Sequence, residues 1–202
     1  FELQKTTLAA MLGDLNQAET IIARIQGLAV ESPFQFKELT TYAKQLSAFS
    51  VPAEELYETT KMLADISAGL GVGMDRIVLA YGQVRSAAFL RGQEVRQFTE
   101  AGIPILDELA KQFSELEGRA VSTGEVFDKI SARLVPFEMV AKVEAAHEAR
   151  YKKLLENVQG NLVFSRDGDC IWQCRNCGHL HIGKMAPEVC PVCSHPKAYF
   201  QI

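Results

Sequence analysis

The stretch that decides the C-terminal fold is Cys174-Arg175-Asn176-Cys177, followed after twelve residues by Cys190-Pro191-Val192-Cys193. Each Cys-x-x-Cys pair suits a tight turn that directs two sulfurs at one centre, and the intervening loop can bring the second turn opposite the first. Four thiolates in that arrangement form a tetrahedral metal site. We therefore predict one metal ion bound by Cys174, Cys177, Cys190 and Cys193.

The spacing leaves the identity of the metal open, because zinc and iron use the same four-thiolate geometry. Thiol–disulfide exchange is disfavoured, since the chain has two matched pairs and no βαβ context. Three histidines in the same region are alternative ligands, but four cysteines already complete the site, so we interpret them as surface or neighbouring residues: His179, His181 and His195. Cys170 lies outside the pairs and is interpreted as a spare thiol.

The composition excludes two classes of partner. The 202 residues carry a formal net charge of −4 and no dense basic run, which argues against nucleic-acid binding. No apolar stretch is long enough to span a membrane. The sequence begins at Phe1, without Met or a signal pattern, so we expect a fragment of a longer protein.

Upstream of Gly160 the sequence predicts helix after helix. Apolar periodicity and capping residues give these segments: a helix from Thr6 with a stop at Gly27, Phe34–Phe49 with Ser32-Pro33 at its start, Pro52 to the Gly69–Gly73 break, Met74–Leu90, Pro104–Leu116, a helix after the Ser122/Glu125 capping box, and Pro136–Glu156.

After Gly160 the pattern changes to short β-type runs. Residues 162–164 and 170–172 flank Arg166-Asp167-Gly168, a hairpin turn signal. About 40 residues are too few for a large core, so a metal would supply the missing stabilisation. The predicted fold class is a mainly α, multi-helix domain followed by a small β metal ribbon.

The helical stretch contains Ala43-Lys44-Gln45-Leu46-Ser47-Ala48-Phe49, Tyr81-Gly82-Gln83-Val84-Arg85 and Ala101-Gly102-Ile103-Pro104-Ile105-Leu106-Asp107-Glu108-Leu109-Ala110. Through these segments, residues 28–140 resemble the N-terminal domain of bacteriophage tail tape measure proteins. The resemblance implies a structural role in a phage tail, with self-association or other tail proteins as partners. It implies a location in the cytoplasm or in the virion tail.

The last part contains Trp172-Gln173-Cys174-Arg175-Asn176-Cys177-Gly178-His179 and Ala186-Pro187-Glu188-Val189-Cys190-Pro191-Val192-Cys193. Through these motifs, residues 141–202 resemble the C-terminal part of rubrerythrin. The resemblance implies a rubredoxin-like domain with one iron ion on the four cysteines, cycling between the ferrous and ferric states with a redox partner. Zinc is the alternative occupant.

One further motif, Glu144-Ala145-Ala146-His147, resembles half of the di-iron ligand set of rubrerythrin. Its spacing places both side chains on one face of a helix. It is the only Glu-x-x-His in the chain, whereas a rubrerythrin uses two such motifs and further glutamates to reduce peroxide. We interpret Glu144 and His147 as vestigial ligands and do not expect peroxidase activity.

Together these observations predict a fusion with three parts: a helical tape-measure-like domain over 1–140, a connecting helix over 141–158 and a rubredoxin-like metal domain over 159–202. The leading hypothesis is a phage-tail structural domain fused to an iron-binding module of the electron-transfer type. One alternative is a purely structural fragment stabilised by zinc or iron. The other is a rubrerythrin-type peroxidase whose missing ligands come from partner chains.

Overall fold

The computed structural model describes residues 2–202, so the first residue of the predicted 1–140 domain lies outside the described residues. Within that range nine α-helices precede three β-strands, which confirms the predicted fold class. The helices are α1 (Glu2–Leu12), α2 (Leu15–Glu31), α3 (Phe36–Ala48), α4 (Ala53–Leu70), α5 (Met74–Ala87), α6 (Gly92–Glu100), α7 (Ile105–Glu117), α8 (Thr123–Ser131) and α9 (Phe137–Gln159); the strands are β1 (Ser165–Cys174), β2 (Leu180–Met185) and β3 (Phe200–Gln201). Among residues 2–202, no helix is both long and apolar enough to cross a bilayer.

Several helix ends follow the predicted capping residues. The Ser122 hydroxyl accepts from the backbone N–H of Glu125 at 3.2 Å, and the Glu125 carboxylate accepts from the N–H of Ser122 at 3.0 Å. This reciprocal pair is the predicted capping box of α8. Helix α4 ends at Gly71, whose φ of 68° is the left-handed conformation that glycine adopts readily.

Two predicted helix ends were wrong. Gly27 does not end a helix but lies inside α2, because the buried stripe of Ile21, Ile25 and Leu28 continues past it. Burying that stripe outweighs the roughly 1 kcal/mol that a helical glycine costs. Ser32 closes α2 rather than opening α3, whose first residue is Phe36.

Helix α6 was not predicted, because its nine residues carry only two apolar side chains. Both of them, Val95 and Phe98, are buried. The Glu94 carboxylate accepts from the backbone N–H of Arg91 at 3.2 Å and so satisfies one free donor at the start of this helix.

The chain divides into two compact units, Phe1–Tyr151 and Lys152–Ile202, which we call the helical unit and the ribbon unit. One continuous apolar core fills the helical unit. Val140 and Val143 of α9 belong to that core, and the ring of Tyr151 lies so close to Gly69 that a Cβ atom there would be 2.6 Å from it. The first half of α9 is therefore part of the helical unit. The predicted boundaries of the connecting helix, at 140 and 158, stay predictions. Helix α9 continues without a break through residue 140.

The ribbon unit is an antiparallel sheet in the order β2-β1-β3. Cys170–Gln173 of β1 pair with Leu180–Gly183 of β2, so the chain reverses at the first cysteine turn. The predicted hairpin at Arg166-Asp167-Gly168 was wrong: these residues lie inside β1, where the register shifts between Ser165 and Cys170. The cysteine turn already supplies the reversal, and no second hairpin is needed.

The core of the ribbon unit is very small. Its buried members are Trp172, Cys174, Ala186, Cys190 and Phe200. Two of the five are cysteines of the predicted metal site. With so little apolar surface buried, we expect this unit to need a bound metal ion for its stability.

Candidate metal centre

The two Cys-x-x-Cys turns have the same backbone hydrogen bonds. The N–H of Cys174 donates to the carbonyl of His179 at 2.8 Å, and the N–H of Cys190 donates to the carbonyl of His195 at 2.8 Å. The first turn follows the end of β1, and the second lies in the loop between β2 and β3. Both turns therefore hold their cysteines in the same local geometry.

Each turn contains one residue with a left-handed backbone. Gly178, directly after Cys177, has a φ of 77°, a left-handed conformation that glycine adopts readily. Ser194 occupies the equivalent place after Cys193 and has a φ of 58°. This second position was not predicted, although its matching offset from the cysteine pair could have indicated it.

The four sulfurs form a compact cluster. All four Sγ atoms lie within 4.8 Å of one another. The Sγ atoms of Cys174 and Cys193 are 3.7 Å apart, and those of Cys177 and Cys190 are 3.6 Å apart. A tetrahedral ion with metal–sulfur bonds of about 2.3 Å requires sulfurs about 3.8 Å apart. The cysteines are thus positioned to bind one metal ion.

The cluster has a covered side and an open side. Cys174 and Cys190 are buried, whereas Cys177 is exposed. Trp172 covers the buried side and donates from its indole Nε1 to the carbonyl of Gly183 at 3.0 Å. A metal ion held here would have protein on one side and solvent within reach on the other.

Backbone N–H groups act on the thiols unequally. The N–H of His195 donates to the sulfur of Cys193 and lowers the pKa of that thiol to about 5. The N–H of His179 acts in the same direction on Cys177, but desolvation and contacts with the other three thiols outweigh it and raise the pKa of Cys177 to about 12. Without a metal ion, the cluster therefore favours one thiolate and opposes the deprotonation of further thiols. A bound cation would remove this opposition, because it attracts the negative charge of every thiolate.

The three histidines of the ribbon lie outside this cluster. His195 contacts the carbonyl of Cys193 through Nδ1 at 3.0 Å, and its ring packs against Tyr199 at 4.4 Å. His181 pairs with Trp172 across the β1–β2 ladder. The thiol of Cys170 contacts the carbonyl of Gly183 at 3.7 Å. Within residues 2–202, the cysteines of the two turns are the one group of three or more potential ligands that meet at a single point.

Glu144 and His147 lie in the helical unit, on one face of α9. The side chain of Glu144 is completely buried and that of His147 is 7% exposed. Nδ1 of His147 is 3.7 Å from Oε2 of Glu144, too long for a hydrogen bond. Both carboxylate oxygens and both ring nitrogens lack a hydrogen-bond partner among the described residues.

Burial raises the pKa of Glu144, and the neighbouring His147 only partly offsets this effect. No further carboxylate, histidine or cysteine of the described range completes a ligand group around the pair. The position of both residues on one helical face was predicted, but their burial was not, because the motif does not show which part of the chain covers that face. Their role as di-iron ligands stays a prediction.

Two family models match different parts of the chain. The model of the family described as "Tape measure protein" matches residues 1–162. The model described as "Rubrerythrin, rubredoxin-like domain" matches residues 172–201, which include all four cysteines of the cluster. The fusion expected from the two resemblances is confirmed.

The curated relatives are rubrerythrins that match part of the chain. Rubrerythrin of Porphyromonas gingivalis is 49% identical over 77 residues, which are 38% of this chain and 37% of the relative. Rubrerythrin-1 of Clostridium acetobutylicum is 50% identical over 66 residues, or 33% and 34% of the two chains. Rubrerythrin of Clostridium perfringens is 38% identical over 96 residues, or 48% and 47%. The chain thus spans between a third and a half of the length of these relatives.

Proposed function

The chain belongs to the tape measure protein family, and on that premise we propose that it is a structural component of a phage tail whose ribbon unit binds one redox-active iron ion. Its partners in this role are further tail proteins or copies of itself, together with an electron donor for the iron. The observation that carries the metal proposal is the cluster of four sulfurs within 4.8 Å.

Three features support iron. The cysteine turns lie in the segment that matches the rubredoxin-like family model. Backbone N–H groups donate to the sulfurs of Cys177 and Cys193, and such donors stabilise negative charge on a thiolate site. The exposed Cys177 leaves one ligand open to a redox partner. Bound at this site, iron would accept and release one electron.

A structural metal ion, zinc included, is the second candidate. The small core of the ribbon unit favours it, because two of its five buried residues are themselves ligands. A closed four-thiolate site contributes directly to folding whichever metal occupies it. In this role the metal ion stabilises the fold and does not change its oxidation state.

Cyclic reduction and oxidation of the purified chain separates the two candidates. The iron proposal expects visible absorption bands that bleach with a reductant and return with an oxidant, over repeated cycles. Cys170→Ser should leave the bands unchanged, because that thiol lies outside the cluster. Cys177→Ser should abolish or shift them. A colourless, metal-loaded protein that does not respond to either reagent would support the structural candidate instead.

A further inference from the structure

Strand β2 forms an open edge of the ribbon sheet. Among residues 2–202, the strand order β2-β1-β3 leaves one side of β2 without a neighbouring strand. The backbone hydrogen bond from Cys174 to the carbonyl of His179 shows that the backbone groups of His179 face β1. Because these groups alternate in direction along a strand, His181 also faces β1, whereas Leu180 and Ile182 direct their N–H and C=O groups away from it. The free edge therefore presents two donors and two acceptors.

This edge lacks the features that protect most edge strands. Proteins commonly protect an edge with proline, with charged side chains or by keeping the strand very short. The stretch Leu180-His181-Ile182-Gly183 contains no proline, lysine, arginine or acidic residue. The side chains of Leu180 and Ile182 are 56% and 71% exposed. The opposite edge strand, β3, has only two residues, so β2 is the edge that favours pairing with a further strand.

An exposed apolar face continues from this edge across the sheet. Ile171 of β1 pairs with Ile182 of β2 and is 53% exposed. Paired residues of an antiparallel sheet place their side chains on the same face, and alternation puts Leu180 on that face as well. A matching strand would therefore need apolar side chains on this face and free backbone groups at its own edge.

We propose that β2 pairs with β2 of a second copy of this chain, antiparallel around a two-fold axis at His181. Leu180 then faces Ile182 of the second copy, and symmetry repeats this contact. Because both residues direct their backbone groups to the free edge, each facing pair exchanges two hydrogen bonds, four in all. Their side chains lie on one face, so the apolar set maps onto itself, as a two-fold interface requires.

The neighbouring residues select this register. The β1–β2 register shifts beyond Gly183, so the regular part of the edge ends there. An axis at Ile182 would set Leu180 opposite Lys184, outside the regular part, and would leave one complete pair. With the axis at His181, Lys184 lies opposite Gly178 of the second copy and no two lysines face each other. The paired stretch then brings together only uncharged side chains when the histidines are neutral.

The contact is small, so we expect weak association. Two residues of each copy form its centre, and it buries less than the ~1,200 Å² at which stable interfaces begin. We expect a dissociation constant on the order of 100 μM, so that the dimer forms where copies are concentrated. The contact gives a surface to the self-association in the proposed function and rests on it to that extent. It does not require the metal ion to change its oxidation state.

Sedimentation of the metal-loaded chain under reducing conditions at pH 8, from about 5 μM to about 1 mM, tests the contact. The wild-type chain should shift from monomer to dimer, and Ile182→Lys should weaken the dimer at least tenfold. Val189→Lys is the matched control, since Val189 is 54% exposed in the same unit and lies outside β2. A wild-type chain that stays monomeric, or a dimer that Ile182→Lys weakens no more than Val189→Lys does, overturns the proposal.

Metal content and the fluorescence of Trp172, measured on the same samples, separate this proposal from the proposed function. Both signals should be unchanged in Ile182→Lys, because the side chain is exposed and its N–H points away from β1. Dimerisation of a chain that holds zinc would contradict the iron proposal and leave the β2 contact standing. An iron-loaded chain that stays monomeric would do the reverse.

A disulfide test measures the register. Residues facing each other without mutual hydrogen bonds have Cα atoms about 4.5 Å apart, close enough for a disulfide. In a metal-loaded Cys170→Ser background, His181→Cys should cross-link two copies under mild oxidation, with the 181–181 linkage identified by mass spectrometry. Lys184→Cys, which does not face itself, is the control. If His181→Cys cross-links no faster than Lys184→Cys, the two-fold pairing at His181 is wrong.

Discussion

Replacing Glu144 with methionine should stabilise the helical unit. The carboxyl group is fully buried and neither oxygen has a hydrogen-bond partner among the described residues. A buried polar group left without a partner costs about 1–3 kcal/mol, and an apolar side chain of similar length removes that cost. We expect Glu144→Met to raise the free energy of unfolding by about 1–3 kcal/mol near pH 8, and the melting temperature by roughly 5 °C.

The gain should depend on pH. Because burial raises the pKa of Glu144 above 4.5, the folded chain holds this proton more tightly than the unfolded chain. Between pH 4.5 and the raised value the folded state binds more protons, so the free energy of unfolding of the wild type falls as the pH rises. The Glu144→Met variant has no carboxyl group at this position, so its free energy of unfolding does not fall for this reason. Its advantage should therefore be smallest near pH 4 and grow as the pH rises through that window.

Thermal unfolding followed by helical circular dichroism at several pH values measures both effects. Glu138→Met is the matched control, because Glu138 is exposed in the first turn of the same helix. Its carboxylate favours the helix dipole, so its loss should be neutral or slightly destabilising. If Glu144→Met melts at the same or a lower temperature than the wild type at pH 8, then the carboxylate has a stabilising partner, such as a metal ion, and the reasoning fails.

Three further predictions concern other positions. Gly69→Ala should destabilise the helical unit by about 1–3 kcal/mol, because its Cβ would lie 2.6 Å from an aromatic ring of α9. Gly27→Ala should stabilise the unit by up to about 1 kcal/mol, because a Cβ there has nothing within 4 Å. Equal midpoints of urea unfolding for the two variants would contradict both expectations. Ser194→Gly should slow metal loss to a chelator, because glycine adopts the left-handed backbone without strain; faster loss would show that the serine side chain holds the turn. Cys190→Ser should change the fluorescence of Trp172, the single tryptophan, while the helical circular dichroism remains; loss of both signals would show that the two units do not fold separately.

The metal cluster was predictable because its geometry is local. Two Cys-x-x-Cys pairs fix two turns, and each turn fixes its own backbone hydrogen bonds. The capping box of α8 was predictable for the same reason, since Ser122 and Glu125 are three residues apart. In both cases the residues that decide the structure lie within one short segment.

The features that sequence reasoning missed depend on distant contacts. The Arg166-Asp167-Gly168 turn signal was overridden because the pairing of β1 with β2 sets the position of the reversal. The contact of Tyr151 with Gly69 joins two helices, α9 and α4, that are far apart in the sequence. The burial of Glu144 in α9 could not be predicted from its motif either. Local patterns show which face of a helix is apolar but not which part of the chain covers it.

The iron ion that we propose on the four cysteines of the ribbon unit can be measured directly. Elemental analysis of the chain purified from iron-sufficient cells, alongside Cys177→Ser, tests it most directly. We expect about one iron per wild-type chain and a large loss of metal in the variant. A wild-type chain that carries stoichiometric zinc, or a variant that keeps its iron, would contradict it.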